Sequence, residues 1–270
     1  MQTLSIAWGF TLLYILPTLV IPSDQTPLPV PRTDHAITID GRLDESAWNH
    51  AATTPNFTNP IDQRPGDLAD LPQYMTSAKL LWDPEHLYIT FICHSPGRWW
   101  ATFTQHDSPI YKQDVVEIFL RISPDLSRFY ELLATPNGTT FDCFHHWLRT
   151  PTYPAHSIDW RQARSYARKS VTWDLPGFIA RGETITSENG IHTWIIECAI
   201  PLSPILTQHK LPPKLKPGML LYLNLLRYIY KQELDGKRTH FQLNWSPTKR
   251  GCPHLSPMAM LPIRLLEPSP

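Results

Sequence analysis

Short runs of alternating apolar and polar residues, separated by proline, glycine and aspartate, recur along most of the chain. This period of two is typical of β-strands, and the separating residues are those of turns. Runs on both sides of Asp83-Pro84 predict a hairpin, and Pro136-Asn137-Gly138 joins a second pair. The predicted strands are Ala36–Ile39, Ala78–Trp82, Leu87–Cys93, Val115–Leu120, Phe129–Ala134, Thr139–Phe144, Trp194–Ile200, Met219–Tyr230, Gln242–Trp245 and Met258–Leu265.

These strands predict an all-β fold, since no alternation of strands and helices appears. A two-sheet antiparallel β-sandwich of jelly-roll-like type would bury them. One short helix is expected near the start of the domain, with Asp44 as its N-cap and Ala51 as its end. The segment 151–190 has weak periodicity and a basic patch, and we expect a surface excursion with one or two strands.

The composition supports a folded domain with no nucleic-acid partner. Apolar residues make up 42% of the 270 residues, which is enough for a core. Lys+Arg and Asp+Glu both number 24, so no net positive charge attracts a polyanion. The 28 prolines favour turns between strands over a helical bundle.

The N-terminal segment has the character of an export signal. It carries no charged residue before Asp24, and its apolar run from Ile6 to Leu16 has the length of a signal-peptide core. An uncleaved membrane anchor and a first strand of the fold are the alternatives. We expect a signal or anchor at 1–24, an extended linker at 25–35 and the sandwich at 36–266, in a periplasmic or extracellular protein. Contact with a membrane is expected only if the segment is uncleaved.

Cysteine and histidine spacing predicts no metal centre. Cys93, Cys143, Cys198 and Cys252 include no Cys-x-x-Cys pair, and their disulfide pairing stays open. His145-His146 would face opposite sides of a strand, which makes them poor joint ligands. No cofactor is expected, although a structural calcium ion remains an alternative without an Asp-rich loop to support it.

Six segments, taken in order, carry a resemblance to a known family. They are Ile39–Trp48, Leu81–Tyr88, Gln113–Leu120, Trp194–Leu202, Asn224–Arg227 and Trp245–Thr248. Their order and spacing, from about Ile37 to Leu265, resemble the family 9 carbohydrate-binding modules. Trp100-Ala101-Thr102, Asp107 and Tyr111 are similar to a bacterial exported subgroup of that family.

The resemblance implies a sugar site that combines aromatic stacking with planar polar groups. Tyr111, six residues before Glu117, stands where sugar-binding members carry a Trp, and Glu117 matches their ligand-binding Glu. The chain departs from the pattern at Glu131, where those members carry an Arg. It departs again at Pro253, beside His254, where they carry a second Trp.

Other tryptophans divide into candidate site and candidate core residues. Trp99 and Trp100 could replace the missing aromatic surface, but neighbours on a strand point to opposite faces, so only one would meet a given ligand. The alternative interpretation is that Trp100 is a core residue and Trp99 a rim residue. The remaining motif tryptophans are expected in the core: Trp48, Trp82, Trp194 and Trp245.

The resemblance therefore implies a non-catalytic protein that holds an oligo- or polysaccharide, acting either alone or beside enzymes of polysaccharide breakdown. Three alternatives stay open. Related sandwich domains hold a b-type haem through Met, His or Lys, and methionines and histidines are available here. A structural or protein-binding sandwich is the second. A glycoside hydrolase using Glu117 and Glu131 as paired carboxylates is the third.

Overall fold

Two β-sheets face each other across a continuous apolar core in the computed structural model of the chain. The structure describes residues 26–60, 71–148, 167–186, 191–232, 236–248 and 253–267. In chain order the strands are β1 (Leu28–Val30), β2 (Ala52–Thr53), β3 (Thr76–Trp82), β4 (His86–Ser95), β5 (Val115–Arg121), β6 (Arg128–Ala134), β7 (Thr140–Trp147), β8 (Ala167–Ser170), β9 (Ile179–Thr186), β10 (His192–Pro201), β11 (Leu220–Gln232), β12 (Arg238–Asn244) and β13 (Leu261–Leu265).

The larger sheet has the order β1-β13-β11-β5-β6-β7-β8, and β12 pairs with the far end of β11. The smaller sheet has the order β2-β3-β4-β10-β9. All pairs are antiparallel except β1 with β13. The predicted two-sheet antiparallel sandwich is confirmed.

The core explains why several motif residues occur where they do. Trp82 and Trp194 are fully buried between the sheets, where each large apolar side chain contributes about 1.5–3 kcal/mol. Arg227 of β11 is also fully buried, and its guanidinium lies 4.4 Å from the centre of the Trp194 ring. It donates to Thr76 Oγ1 at 2.9 Å and to the His94 carbonyl at 2.8 Å. Arg227 therefore links the two sheets.

The opening motif, Ile39–Trp48, is held to β10 by one carboxylate. Glu197 of β10 accepts hydrogen bonds from the backbone N–H of Asp40 at 3.1 Å and of Gly41 at 2.8 Å. Gly41 has φ +91°, and a Cβ there would lie 2.7 Å from the backbone nitrogen of Glu183. Glycine is therefore required for this close approach.

Three expectations for the N-terminal part of the domain are wrong. The predicted linker 25–35 contains β1, which pairs with β13 and buries Val30. Ala36–Ile39 forms no strand, because the Thr38 N–H bonds to Glu45 Oε1 instead of a neighbouring strand. Asp44 caps no helix: the segment Ser46–His50 is a 3₁₀-helix preceded by Glu45, without a side-chain cap.

Elsewhere, the strand predictions differ from the structure mainly at their ends. Met258–Leu265 shortens to β13, because Pro257–Ala259 forms a 3₁₀ turn. A short helix, α1 (Ser203–Gln208), was not predicted, although Pro204 stands in its first turn. The described part of 151–190 contains β8 and β9, as expected of that excursion.

Some expectations fall outside the described residues, namely the signal or anchor at 1–24 and Cys252. Cys93, Cys143 and Cys198 are free and buried, so none of them pairs with another. No helix among the described residues is long and apolar enough to cross a membrane.

Candidate functional site

The outer face of the larger sheet carries two of the predicted site carboxylates. Val116 and Ile118 of β5 face the core, so Glu117 between them faces outward. Glu117 lies opposite Leu133 of β6, and Glu131 follows two residues away on the same face. Both carboxylates are 2% exposed.

Tyr111 lies at one end of this face, on the 3₁₀ turn Ile110–Lys112. Ile110 is fully buried and anchors the turn, whereas Tyr111 is 44% exposed. The Tyr230 hydroxyl donates to the Tyr111 carbonyl at 2.7 Å, and the Tyr111 ring meets Phe141 edge-on at 6.2 Å. The structure thus presents an aromatic ring to solvent while holding its backbone in place.

Further aromatic side chains continue from Tyr111. The Trp100 ring meets Tyr230 edge-on at 5.8 Å, and Tyr230 stacks on His240 at 5.5 Å. The Arg238 guanidinium lies 3.4 Å from the centre of the Trp100 ring, a cation–π contact. Tyr111, Trp100, Tyr230 and His240 are called the aromatic platform below. Trp100 is half-buried, so the alternative interpretation that placed it in the core is wrong.

Asp114 holds the platform together from below. One carboxylate oxygen accepts the Trp100 N–H at 2.5 Å, and the other accepts the Tyr230 N–H at 2.8 Å. The Asp114 N–H in turn donates to the Trp100 carbonyl at 2.9 Å. One buried carboxylate therefore connects the loop that carries Trp100 to β11.

Glu117 lies beside the platform in an apolar setting. Among the described residues, no group donates a hydrogen bond to its Oε2. Burial and the negative charge of Glu131 raise the pKa of Glu117 to about 8. The Glu117 charge also contributes to raising the pKa of Tyr230, after the larger effect of burial. Glu117 is thus available as a hydrogen-bonding group without a protein partner at Oε2.

Glu131 has the opposite environment. Burial alone would raise its pKa, but His254 and His145 outweigh burial and hold the pKa of Glu131 well below its usual range. His254 reaches it from the 3₁₀ turn Pro253–Leu255, with Nε2 3.2 Å from Oε2. The structure thus brings the two departures from the family pattern into contact with each other.

Trp99 contacts a different part of the molecule. Its indole N–H donates to Thr184 Oγ1 of β9 at 2.7 Å. With Arg98, Thr186 and His192 it lines an open cleft at the end of the smaller sheet. The structure therefore separates the contacts of Trp99 from those of Trp100.

The motif tryptophans are core residues, as expected. Trp48, Trp82 and Trp194 are at most 1% exposed, and Trp245 is half-buried against the core. These side chains support the fold and do not line the outer face of the larger sheet.

Two groups of described side chains have spacings that suit a metal ion. One is the buried set Glu131, Cys143 and His145, and the other is the exposed set His106, Asp107 and Asp174. Neither was predicted, because each set is completed by a residue from another segment, Glu131 in the first and Asp174 in the second.

The comparison with known families gives a match over the first half of the sandwich. Residues 39–135 match a family model. That model is described as carbohydrate family 9 binding domain-like. The predicted resemblance is confirmed over this segment, which includes Ile39–Trp48, the hairpin around Asp83-Pro84 and strand β5 with Glu117. No curated protein sequence matches the chain.

Two solved structures share the fold over most of the chain. A candidate carbohydrate-binding protein from Bacteroides uniformis is 14% identical, with a TM-score of 0.62, covering 89% of this chain and 99% of that one. A family 9 carbohydrate-binding module from Caldicellulosiruptor kristjanssonii, in complex with cellotriose, is 17% identical, with a TM-score of 0.53. The match covers 90% of this chain and 95% of that module. At these identities the likeness establishes the fold.

Sequence reasoning missed several residues that shape this face. Tyr230 and Arg238 belong to strands whose register could not be read from the sequence, and His240 faces Tyr230 only through that register. The alternation Tyr222, Tyr228, Tyr230 along β11 was a usable signal, since aromatic residues repeat there with the period of a strand.

Proposed function

We propose that this chain is a non-catalytic carbohydrate-binding protein that holds a saccharide on the aromatic platform. The observation that carries the proposal is the Tyr111 ring, which is exposed to solvent, packs edge-on against Phe141 and stands on a backbone held by Tyr230. A rigid aromatic face suits the apolar C–H face of a sugar ring at a low cost in conformational entropy. The family match over 39–135 supports a saccharide as the ligand class.

Polar groups around the platform would supply the hydrogen bonds. Arg238 and Lys112 flank Trp100 and Tyr111, and both can donate to sugar hydroxyls. Glu117 Oε2 has no described protein donor, so a ligand hydroxyl is a suitable partner once this 2% exposed side chain becomes accessible. Glu131 and His254 would border the far end of the site. The contacts of Trp99 with the smaller sheet do not favour it as a sugar contact.

The geometry does not favour the glycosidase alternative. A retaining or inverting mechanism needs two carboxylates facing one cleft with access to the substrate. Glu131 Oε2 already contacts His145, His254 and Lys169, so this carboxylate is not free to act as an acid, a base or a nucleophile. We further propose that the protein acts outside the cytoplasm after export by its N-terminal segment. N-terminal sequencing of the secreted protein would test that step.

Glycan binding with paired aromatic variants tests the proposed site. Soluble cello-oligosaccharides and a panel of polysaccharides are offered to the chain, to Tyr111→Ala and to Trp99→Ala. Removing a central aromatic anchor is expected to lower affinity about tenfold or more, whereas Trp99→Ala should bind normally. Equal loss in both variants would show that the platform is not the site.

A further inference from the structure

Three ligand-type side chains, Glu131, Cys143 and His145, converge on the outer face of the larger sheet, and His254 approaches Glu131 from a neighbouring turn. Glu131 Oε2 lies 2.5 Å from His145 Nε2, 3.1 Å from Cys143 Sγ and 3.2 Å from His254 Nε2. Cys143 Sγ is also 3.3 Å from His145 Nε2. The three sheet residues are buried, whereas the His254 side chain is 31% exposed. The cluster is therefore closed towards the sheet and accessible at His254.

Strand register and packing place these side chains. Cys143 of β7 lies directly opposite Glu131 of β6, and His145 follows two residues later on the same face. The His145 ring stacks on Phe129 at 4.5 Å, and His254 meets Phe119 edge-on at 5.2 Å. Both imidazole rings are thus held in orientation by aromatic neighbours, and His254 completes the site by moving towards Cys143 and His145.

Each donor in this set is of a type that zinc binds in proteins. A thiolate, two imidazoles and a carboxylate are the protein ligands of tetrahedral Zn²⁺ sites. With metal–ligand bonds of about 2.0–2.3 Å, ligand atoms in a tetrahedron lie about 3.2–3.6 Å apart. The separations of Glu131 Oε2 from Cys143 Sγ and from His254 Nε2, and of Cys143 Sγ from His145 Nε2, are 3.1, 3.2 and 3.3 Å. The hydrogen-bonded pair of Glu131 and His145 would have to open by about 0.7 Å to match that spacing.

We propose that Glu131, Cys143, His145 and His254 form a binding site for a zinc-type divalent cation. On binding, the Cys143 thiol releases its proton to solvent and the sulfur becomes a ligand. This proposal does not depend on carbohydrate binding, because its ligands are not part of the aromatic platform, although Glu131 and His254 also border the proposed saccharide site.

A nucleophilic role for Cys143 fits the geometry less well. In a Cys–His catalytic pair, one imidazole nitrogen faces the sulfur while the other is oriented by a third group. Here Cys143 Sγ and Glu131 Oε2 both approach the same nitrogen, Nε2 of His145. Convergence on one point is the arrangement of metal ligands, not of a proton relay.

Lys169 occupies the position of a cation in the metal-free cluster. Its Nζ lies 2.9 Å from Glu131 Oε2, and its side chain is 34% exposed. A bound divalent ion would repel this ammonium group, which can turn into solvent. Lys169 therefore competes with the metal, and its removal should favour metal binding.

Titration of the metal-free full chain with Co²⁺ and then Zn²⁺ tests the site. We expect one equivalent of Co²⁺ to give the visible spectrum of a tetrahedral ion and a sulfur-to-cobalt charge-transfer band, both lost when Zn²⁺ displaces it. Cys143→Ser should abolish the charge-transfer band. His254→Ala, at a partly exposed position, should lower Zn²⁺ affinity about a hundredfold or more, with the fold checked by thermal unfolding.

Matched variants exclude other binding sites. Cys198→Ala removes another buried thiol, and His146→Ala removes the histidine on the other side of β7, so both should bind as the unaltered chain does. His106→Ala disrupts the exposed acidic set and should also leave the cobalt spectrum intact. No charge-transfer band, or a band that survives Cys143→Ser, would overturn the proposal.

Lys169→Met gives a second, opposite signature. With the competing charge removed, Zn²⁺ should bind about tenfold more tightly. Unchanged or weaker Zn²⁺ binding would contradict the proposal that the Lys169 ammonium group and the metal compete for the same position. Because this variant gains affinity, an unfolded protein could not produce the expected result.

Discussion

Glu197 offers the sharpest test of how the opening motif is held to the sandwich. Its carboxylate accepts the N–H groups of Asp40 and Gly41, and the residue is fully buried. In Glu197→Ala both N–H groups lose their acceptor, at about 1–3 kcal/mol for a buried donor and less for the half-buried one. Lost methylene burial adds about 1 kcal/mol, so the free energy of unfolding should fall by about 3–5 kcal/mol.

The pH dependence of stability separates the charge from the hydrogen bonds. Burial raises the pKa of Glu197 to about 7, against the two N–H donors, which lower it. In the unfolded chain the Glu197 carboxyl has a pKa of about 4.3, so the folded state binds its proton more tightly. The stability that this proton binding contributes is complete below about pH 4.3 and is lost as the pH rises towards 7. After allowance for solvent screening we expect a loss of about 1–2 kcal/mol over this range.

Glu197→Gln keeps an acceptor for both N–H groups and cannot ionise. Urea unfolding at about pH 5 and about pH 8 should therefore show a smaller decline for Glu197→Gln than for the unaltered chain. A decline of the same size in both proteins would refute the assignment to Glu197. A cost below about 1 kcal/mol for Glu197→Ala would refute the proposed hydrogen bonds.

Three further predictions concern other parts of the sandwich. Gly182→Ala should destabilise the fold by about 3 kcal/mol in urea unfolding, because the new Cβ would lie 2.2 Å from the Pro136 carbonyl oxygen. Gly97→Ala is its matched control, with no atom within 4 Å of the new Cβ, and equal effects would contradict the reasoning. Asp114→Ala should lower the free energy of unfolding by about 2–4 kcal/mol and weaken glycan binding, and Asp114→Asn should have an intermediate effect. A stable Asp114→Ala variant with normal glycan binding would show that Asp114 does not hold the platform. Arg227→Met should lower stability by about 2–4 kcal/mol in the same assay, because it leaves Thr76 and the His94 carbonyl without their donor, and a neutral result would count against the inter-sheet link.

Local pattern was sufficient to predict most strands and their class. Segments such as Val115–Leu120 and Trp194–Ile200 combine β-branched and aromatic residues between turn signals, and each lies within an observed strand. Strand β1 was missed because its partner, β13, lies at the other end of the chain, and Ala36–Ile39 was wrong because its backbone groups bond to side chains instead of to a strand. At Ala36–Ile39, Glu45 takes up the Thr38 N–H, and Glu197 takes up those of Asp40 and Gly41 just beyond.

The site was only partly predictable, because it depends on strand register. Tyr111 and Glu117 are close in sequence and could be named from the family resemblance. The contact of Glu131 with His145 depends on the register of β6 and β7, whereas those of Trp100 with Arg238 and of Glu131 with His254 join segments far apart in sequence. Pattern and turn constrain register within a hairpin, but they do not specify which distant segments meet on one face of a sheet, and so these contacts required the structure.

Binding of a soluble cello-oligosaccharide series and a polysaccharide panel, measured by calorimetry on the chain and on Tyr111→Ala, tests the central claim most directly. We expect one glycan class to bind, and Tyr111→Ala to bind it about tenfold or more weakly with unchanged thermal stability. Trp99→Ala serves as the aromatic control and should retain full affinity. Binding that survives Tyr111→Ala would remove the aromatic platform from the account. The absence of binding to any glycan would contradict the carbohydrate-binding function itself.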